Sequence, residues 1–316
     1  MLIALAGAEM LLRVSSRYFL HIFDIEMWRY AREIKLESPL PGLVEDHRQN
    51  AEAELMGVRI RTDASGFRRA NSVQESARTP NKRLVIALGD SLTLGWGVPE
   101  GETYSDVLEK ILNERAHQTP VKQFTVLNAG IGNSNTSMEL ARYERNLRPL
   151  HPDWLIVGFF INDAEVDPVP VQNPIIYNSA LAALLTGQLR MHLGSTYENY
   201  ETYYRRLYTD INPGWARLQA ALATLAQDLR QDQVRATLLL LPEMHEPKNF
   251  GPFKDIYGQV AELGRAAGFE VIDASQDFRP GPGNRFWVSR NDAHPNAAAQ
   301  AIFAAALAKS TFISLQ

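Results

Sequence analysis

Two kinds of apolar pattern alternate along most of this chain. Short unbroken runs at 83–88, 124–128, 154–161, 236–241 and 269–272 end in polar or glycine-rich turns. Between them, apolar residues recur at three- and four-residue spacing near 102–116, 136–148, 214–230 and 254–267, with a last helical pattern near 296–309. Unbroken apolar strands are buried on both faces, and their alternation with amphipathic helices predicts a parallel sheet covered on both sides. From about 163 to 213 a Pro-, Asn- and Tyr-rich stretch with an apolar patch at 180–185 breaks the rhythm and reads as an insertion. Its tyrosines Tyr197, Tyr200, Tyr203 and Tyr204 read as a lid or carbohydrate platform, or else Tyr197, Tyr200 and Tyr204, at helical spacing, as one packed helix face.

Ahead of the first strong strand the pattern changes. Residues 1–12 are apolar apart from Glu9. The run is short of the roughly 20 residues a spanning helix needs and lacks the basic leader of a secretory signal. It reads either as a docking helix or as the remnant of a membrane anchor. Residues 15–37 continue as an aromatic amphipathic segment (Tyr18, Phe19, Phe23, Trp28, Tyr30) able to pack on the main domain or on a partner. Membrane or protein docking is therefore expected, if anywhere, through residues 1–37. An anchor would place the protein at the cell envelope or a membrane, and its absence in the cytoplasm. The stretch VRIRTDASGFRR (58–69) alternates and then turns at Ser65-Gly66, which predicts a small hairpin with a solvated Arg-rich end. The chain thus divides into an extension, 1–80, and a main domain, 81–316.

Composition changes this picture mainly by exclusion. The 316 residues are 45% hydrophobic and 22% charged, an ordinary globular balance. A net charge of -4 argues against a nucleic-acid partner or a polybasic membrane patch. With no cysteine there is no disulfide, thiolate metal site or Cys nucleophile.

In open α/β sheets, ligands bind beyond the carboxyl ends of the strands. The first strand ends in Gly89-Asp90-Ser91-Leu92-Thr93, which puts a serine on a turn that is rigid behind and open in front. A serine becomes a nucleophile when a base takes its proton. The second ends in Asn128-Ala129-Gly130-Ile131-Gly132-Asn133, a turn able to direct backbone N–H groups at an anion or simply to lead into a helix capped by Asn135 or Thr136. The third ends in Phe160-Ile161-Asn162-Asp163; the Asn162 amide is either a neutral oxyanion donor or an Asx-turn. Near the C-terminus stands Asp292-Ala293-His294-Pro295. Pro295 suits a helix start and keeps His294 extended, so Asp292 and His294 point the same way and the carboxylate can orient the imidazole. Nucleophile, base, acid and oxyanion donors form an acyl-transfer set. Trp96, Asp163, Glu243 and His245 lie at the same edge and are candidates for substrate contact. A metal on His245 and Glu246 lacks an obvious third ligand.

At these residues the chain resembles the SGNH/GDSL hydrolase superfamily. Gly89-Asp90-Ser91-Leu92-Thr93 matches its first block, which implies Ser91 as nucleophile and as one backbone oxyanion donor. The family glycine of the second block aligns with Asn133, whose N–H survives the replacement, with Gly130 and Gly132 nearby. The third block, usually Gly-x-Asn-Asp, keeps Asn162 and loses its glycine. The last block normally sets Asp three residues before His. Here that position is Asn291, and Asp292 gives the spacing Asp-x-His, which is similar to that of polysaccharide O-acyltransferases of this type and of some esterases.

The resemblance covers about 83–309. It implies a flavodoxin-like three-layer α/β/α sandwich with a five-stranded parallel sheet in the order 2-1-3-4-5, and neither metal nor organic cofactor. It also implies hydrolysis of a small-molecule, glycan or lipid ester through an acyl-enzyme. O-acyl transfer to, or deacetylation of, a polysaccharide is the catalytic alternative, and a non-catalytic binding module the other.

Overall fold

The computed structural model describes residues 2–19, 21–69, 81–116, 121, 123–166, 174–193 and 200–310; Tyr197 lies outside them. Helices α1 (Leu2–Tyr18) and α2 (Phe23–Glu33) come first. Two small antiparallel pairs follow, β1 (Lys35–Glu37) with β2 (Glu45–His47) and β3 (Glu52–Leu55) with β4 (Val58–Arg61). The chain then runs through β5 (Lys82–Gly89), α3 (Ser91–Leu94), α4 (Tyr104–Ala116), β6 (Gln123–Gly130), α5 (Thr136–Arg142) and β7 (Trp154–Phe159). Next come α6 (Pro174–Asn178), α7 (Ala180–Leu193), α8 (Tyr200–Leu207), α9 (Pro213–Gln231), β8 (Arg235–Leu240) and α10 (Lys254–Ala267). It closes with β9 (Glu270–Asp273), β10 (Trp287–Ser289), β11 (Asp292–Pro295) and α11 (Ala297–Leu307).

Five of these strands make one all-parallel sheet in the order β6-β5-β7-β8-β9, which is 2-1-3-4-5 in chain order. Alternate side chains divide between its faces. Ile86, Leu88, Leu155, Val157, Leu238 and Leu240 are buried with residues of α9 and α10. Val85, Ala87, Trp154, Ile156, Leu239 and Leu241 are buried with residues of α4 and α11. Helices on both faces give the expected flavodoxin-like sandwich, and the unbroken apolar strands follow from burial on both sides.

Three glycines stand level across the carboxyl end of the sheet, Gly89 pairing with Gly130 on one side and Gly158 on the other. A Cβ at Gly89 would lie 2.1 Å from Thr93 Oγ1, one at Gly130 2.1 Å from the Leu94 nitrogen, and one at Gly158 2.5 Å from Thr93 Oγ1. The missing side chains let α3 sit directly on the strand ends.

The structure departs from the sequence expectations in three places. The helix expected over 136–148 stops at Arg142, continues as a π turn (Tyr143–Leu147) and ends in a 3-10 turn (Arg148–Leu150); Pro149 cannot supply an N–H to continue it. The hairpin is formed by β3 and β4 around Met56 and Gly57, both with positive φ, as two-residue hairpin turns require. The turn at Ser65-Gly66 closes only the bridge Thr62 to Arg68. Nor is the Arg-rich end solvated throughout: Arg68 is buried and donates to the carbonyls of Leu94, Gly95 and Val98, the exit of α3.

The insertion packs on the N-terminal helices. Glu9 accepts from the N–H groups of Ala180 and Leu181 and from the Ser179 hydroxyl, capping α7. Trp28 Nε1 donates to the carbonyls of Ile176 and Tyr177. Tyr200 and Tyr204 pack edge-on against each other and against Phe253, so these two tyrosines do form a packed face. α1 leaves Ile3, Met10 and Leu11 exposed. No helix among the described residues is long and apolar enough to cross a membrane.

Candidate active site

Ser91 opens α3 at the end of β5. Asp90 caps this one-turn helix, its Oδ1 accepting from the Leu92 N–H at 2.8 Å, and Gly95 ends it in a left-handed conformation at φ 78°. Opposite, β11 pairs with β10 and carries Asp292 and His294 up to α11, which Asn296 caps. Gln300 ties α11 to the serine turn: its Nε2 donates to the Leu92 carbonyl at 2.9 Å and its Oε1 accepts from the Tyr104 N–H at 2.8 Å.

These supports bring three expected residues together. His294 Nε2 lies 2.9 Å from Ser91 Oγ, and His294 Nδ1 lies 2.6 Å from Asp292 Oδ1. With Nδ1–H donating to the carboxylate, Nε2 is left to accept from the serine hydroxyl. Asp292 Oδ1 also accepts from the His294 N–H at 3.0 Å, and Oδ2 accepts from Trp96 Nε1 at 3.1 Å. Burial pushes the Asp292 carboxyl up, but these bonds from His294 and Trp96, with the imidazole charge, outweigh it and hold the acid below its ordinary range. It is thus an ionised partner for the ring.

The expected oxyanion donors are not equally available. The Gly130 N–H donates to Asn128 Oδ1 at 3.0 Å, and the Gly132 N–H to the Tyr30 hydroxyl at 3.0 Å. Both glycine donors are therefore engaged within the protein, which corrects the expectation that either could serve an anion. Asn133 is exposed, with φ 63°, and among the described residues nothing accepts from its N–H. Nothing described accepts from the Ser91 N–H either. Asn162 gives one Nδ2 hydrogen to Asp90 Oδ2 at 3.1 Å, which leaves its second amide hydrogen. Burial raises the Asp90 carboxyl, while the bonds from Leu92 and Asn162 oppose the rise.

Two expected substrate contacts turn inward. Trp96 is 1% exposed, and its indole nitrogen serves Asp292; it lies behind the acid and does not line a pocket. Asp163 is 3% exposed and accepts from the Phe160 N–H. Burial raises its carboxyl well above the usual range, and the charges of Glu139 and Asp90 add to the rise. Glu243 is buried and holds His245 through both the ring Nδ1 and the backbone N–H, the same Asx-like arrangement as Asp292 with His294. The hydrogen bond that the imidazole gives to Glu243 raises the exposed His245 ring, which meets Trp287 edge-on at 4.7 Å and Tyr200 at a tilt at 5.8 Å. No described contact joins this pair to Ser91 or His294.

Sequence reasoning missed several supports. Phe23 of α2 lies against the His294 ring, centroids 6.1 Å apart and planes 25° off parallel, and meets Trp96 edge-on. Asn128 Nδ2 donates to the Thr93 carbonyl at 2.8 Å and to Ser105 Oγ at 3.0 Å, tying β6 to the serine turn. The carboxamide at a strand end was visible in the sequence; its partners were not.

No curated protein matches the chain. Among solved structures it is similar to LAE5, an alpha/beta hydrolase enzyme from the metagenome of Lake Arreo, Spain, with 20% identity, 72% of this chain and 94% of that chain covered, and a TM-score of 0.45. It is similar to TesA at 19% identity, with 71% and 96% covered and a TM-score of 0.45. A catalytic mutant of Axe2, an acetylxylan esterase from Geobacillus stearothermophilus, matches at 18% identity, with 72% and 93% covered and a TM-score of 0.44. The GDSL-like Lipase/Acylhydrolase family matches residues 87–302, well over half of the chain and a span that includes Ser91, Asn162, Asp292 and His294. The chain belongs to that family and is a hydrolase acting on ester bonds.

Proposed function

We propose that the protein is a serine esterase working through an acyl-enzyme, with Ser91 as nucleophile, His294 as general base and acid, and Asp292 as the acid that orients the ring. The continuous path from Ser91 Oγ to His294 Nε2 (2.9 Å) and from His294 Nδ1 to Asp292 (2.6 Å) carries the proposal. Ser91 Oγ bonds to the ester carbonyl carbon as its proton passes to Nε2. The carbonyl π electrons move onto oxygen, where the N–H groups of Ser91 and Asn133 and the Asn162 amide stabilise the anion. Such a donor is typically worth about 3–4 kcal/mol in the transition state. On collapse, the bond to the leaving oxygen breaks and Nε2 returns the proton to it as alcohol. Water then repeats the sequence on the acyl-serine, giving its proton to Nε2 and releasing the acid. The substrate is a small-molecule, glycan or lipid ester.

Intact-protein mass after treatment with a serine-directed fluorophosphonate tests this. One adduct should form on the wild type, map to Ser91, and be absent from Ser91→Ala and His294→Ala. An unlabelled but folded wild type overturns the proposal.

A further inference from the structure

The active-site groups named above other than Phe23 and Tyr30 lie within the span that matches the family, yet the two peptides that meet at Gly132 in the oxyanion loop are both held by the N-terminal extension. The Gly132 N–H donates to the Tyr30 hydroxyl at 3.0 Å, and its carbonyl accepts from Lys35 Nζ at 2.6 Å. Tyr30 is fully buried and Lys35 and His47 nearly so. The hydrogen bonds run in one direction without a break: Gly132 N–H to Tyr30 oxygen, Tyr30 O–H to His47 Nε2 at 2.6 Å, His47 Nδ1–H to the Gly66 carbonyl at 3.1 Å. On the other side Lys35 pairs with Glu45 across β1 and β2. Gly132 is itself fitted to this neighbour, because a Cβ there would stand 2.9 Å from Tyr30 Cε1.

We infer that Tyr30 and Lys35 are positioning residues for ester hydrolysis, fixing the peptides on either side of Gly132 so that the next residue, Asn133, presents its N–H as an oxyanion donor. The inference rests on the function proposed above. Asn133 holds φ 63°, a left-handed conformation that a non-glycine residue adopts under local constraint. Its N–H shares a peptide plane with the Gly132 carbonyl and points the opposite way, so Lys35 fixes that plane directly, while Tyr30 fixes the peptide before it through the Gly132 N–H. A lysine ammonium in a buried position carries a large desolvation cost, which Glu45 and the Gly132 carbonyl offset together. The extension is thereby part of the catalytic apparatus, and the same helix lays Phe23 on the other active group, His294.

The test is steady-state hydrolysis of p-nitrophenyl acetate by full-length Tyr30→Phe, Lys35→Met and, as a control, Trp28→Phe. Trp28 sits on the same helix, and its indole Nε1 donates to the carbonyls of Ile176 and Tyr177 in the insertion, not to the oxyanion loop. Misplacing one donor by about 1 Å costs on the order of 100-fold. Tyr30→Phe and Lys35→Met should therefore lower kcat by 10- to 100-fold with KM within twofold, while Trp28→Phe lowers Tm and leaves kcat unchanged. Kcat within twofold of wild type in Tyr30→Phe, an equal kcat loss in Trp28→Phe, or failure of both site variants to fold would overturn the inference. A wild type that neither turns over the ester nor takes up the fluorophosphonate speaks instead against the esterase proposal.

Discussion

Asp292 accepts three hydrogen bonds, two from His294 and one from the indole of Trp96, and this crowding of donors keeps a buried carboxyl ionised. Replacing Trp96 by Phe keeps most of the apolar bulk and removes one donor. Hydrogen bonds to charged groups contribute about 1.5–3 kcal/mol, so kcat should fall roughly tenfold or more in Trp96→Phe. The pH dependence has a definite sign. A carboxyl held below its unfolded value stabilises the fold above that value and loses the contribution as pH falls through the lower folded one. In Trp96→Phe the folded value rises, so both the acid loss of activity and acid unfolding should begin at higher pH; a pH–rate profile with parallel acid titration of the fold checks this. Ser91, Asp292 and His294 were legible in the sequence because each follows or flanks a recognisable strand or helix boundary. Trp96 was legible only as an aromatic between glycines, since its partner stands 196 positions away.

At the level of elements, hydrophobic periodicity located every strand of the main sheet to within a residue or two, because burial on both faces leaves little freedom in the pattern. It overran α5, where the apolar spacing continues past Arg142 although the hydrogen bonding changes to a π turn. It also misplaced the small hairpin, whose turn depends on the positive φ of Met56 and Gly57 and not on Ser65-Gly66. Periodicity says nothing of why Gly89, Gly130 and Gly158 stand level; the close approach of α3 does. Gly130→Ala puts a methyl 2.1 Å from the Leu94 nitrogen, a backbone atom that cannot rotate away. Overpacking costs about 1–3 kcal/mol where side chains can adjust, and here the upper end or more is expected. Chemical denaturation should show a loss of about 3 kcal/mol for Gly130→Ala, and activity should fall further than stability alone explains, because the displaced α3 carries Ser91. A change below about 1 kcal/mol would mean that α3 rides freely above the sheet.

Taken as a whole, the molecule joins the sandwich to an outer layer made from segments far apart in the chain, α1 and α2 from the N-terminus and α6 and α7 from the insertion. Neither segment has an apolar face that the sequence alone can assign to the other, which is why docking through residues 1–37 stayed open between a membrane, a partner and the chain itself. Glu9, the one charged side chain among the first twelve residues, is one specific link beside Trp28. It receives two N–H groups from the start of α7 and the Ser179 hydroxyl, and it pairs with Arg13. Burial works to raise its carboxyl, but these donors prevail and hold it down at about 2. By linkage, its contribution is complete above the unfolded carboxylate range near 4.5 and is lost as pH falls toward 2. Because α1 leaves Ile3, Met10 and Leu11 in solvent, α1 and the start of α7 should open without the sandwich opening, while α2 stays tied to it through Tyr30, Leu94 and Trp96. Glu9→Gln keeps the shape and removes the charge that the α7 N–H groups favour. In hydrogen exchange at pH 7, amides of α1 and of the first turns of α7 should then exchange faster while β5, β6 and β7 keep their wild-type protection. Equal acceleration in the central strands would make the outer layer part of one cooperative fold, and unchanged exchange in α1 would mean that apolar packing, with no help from Glu9, holds the layer in place.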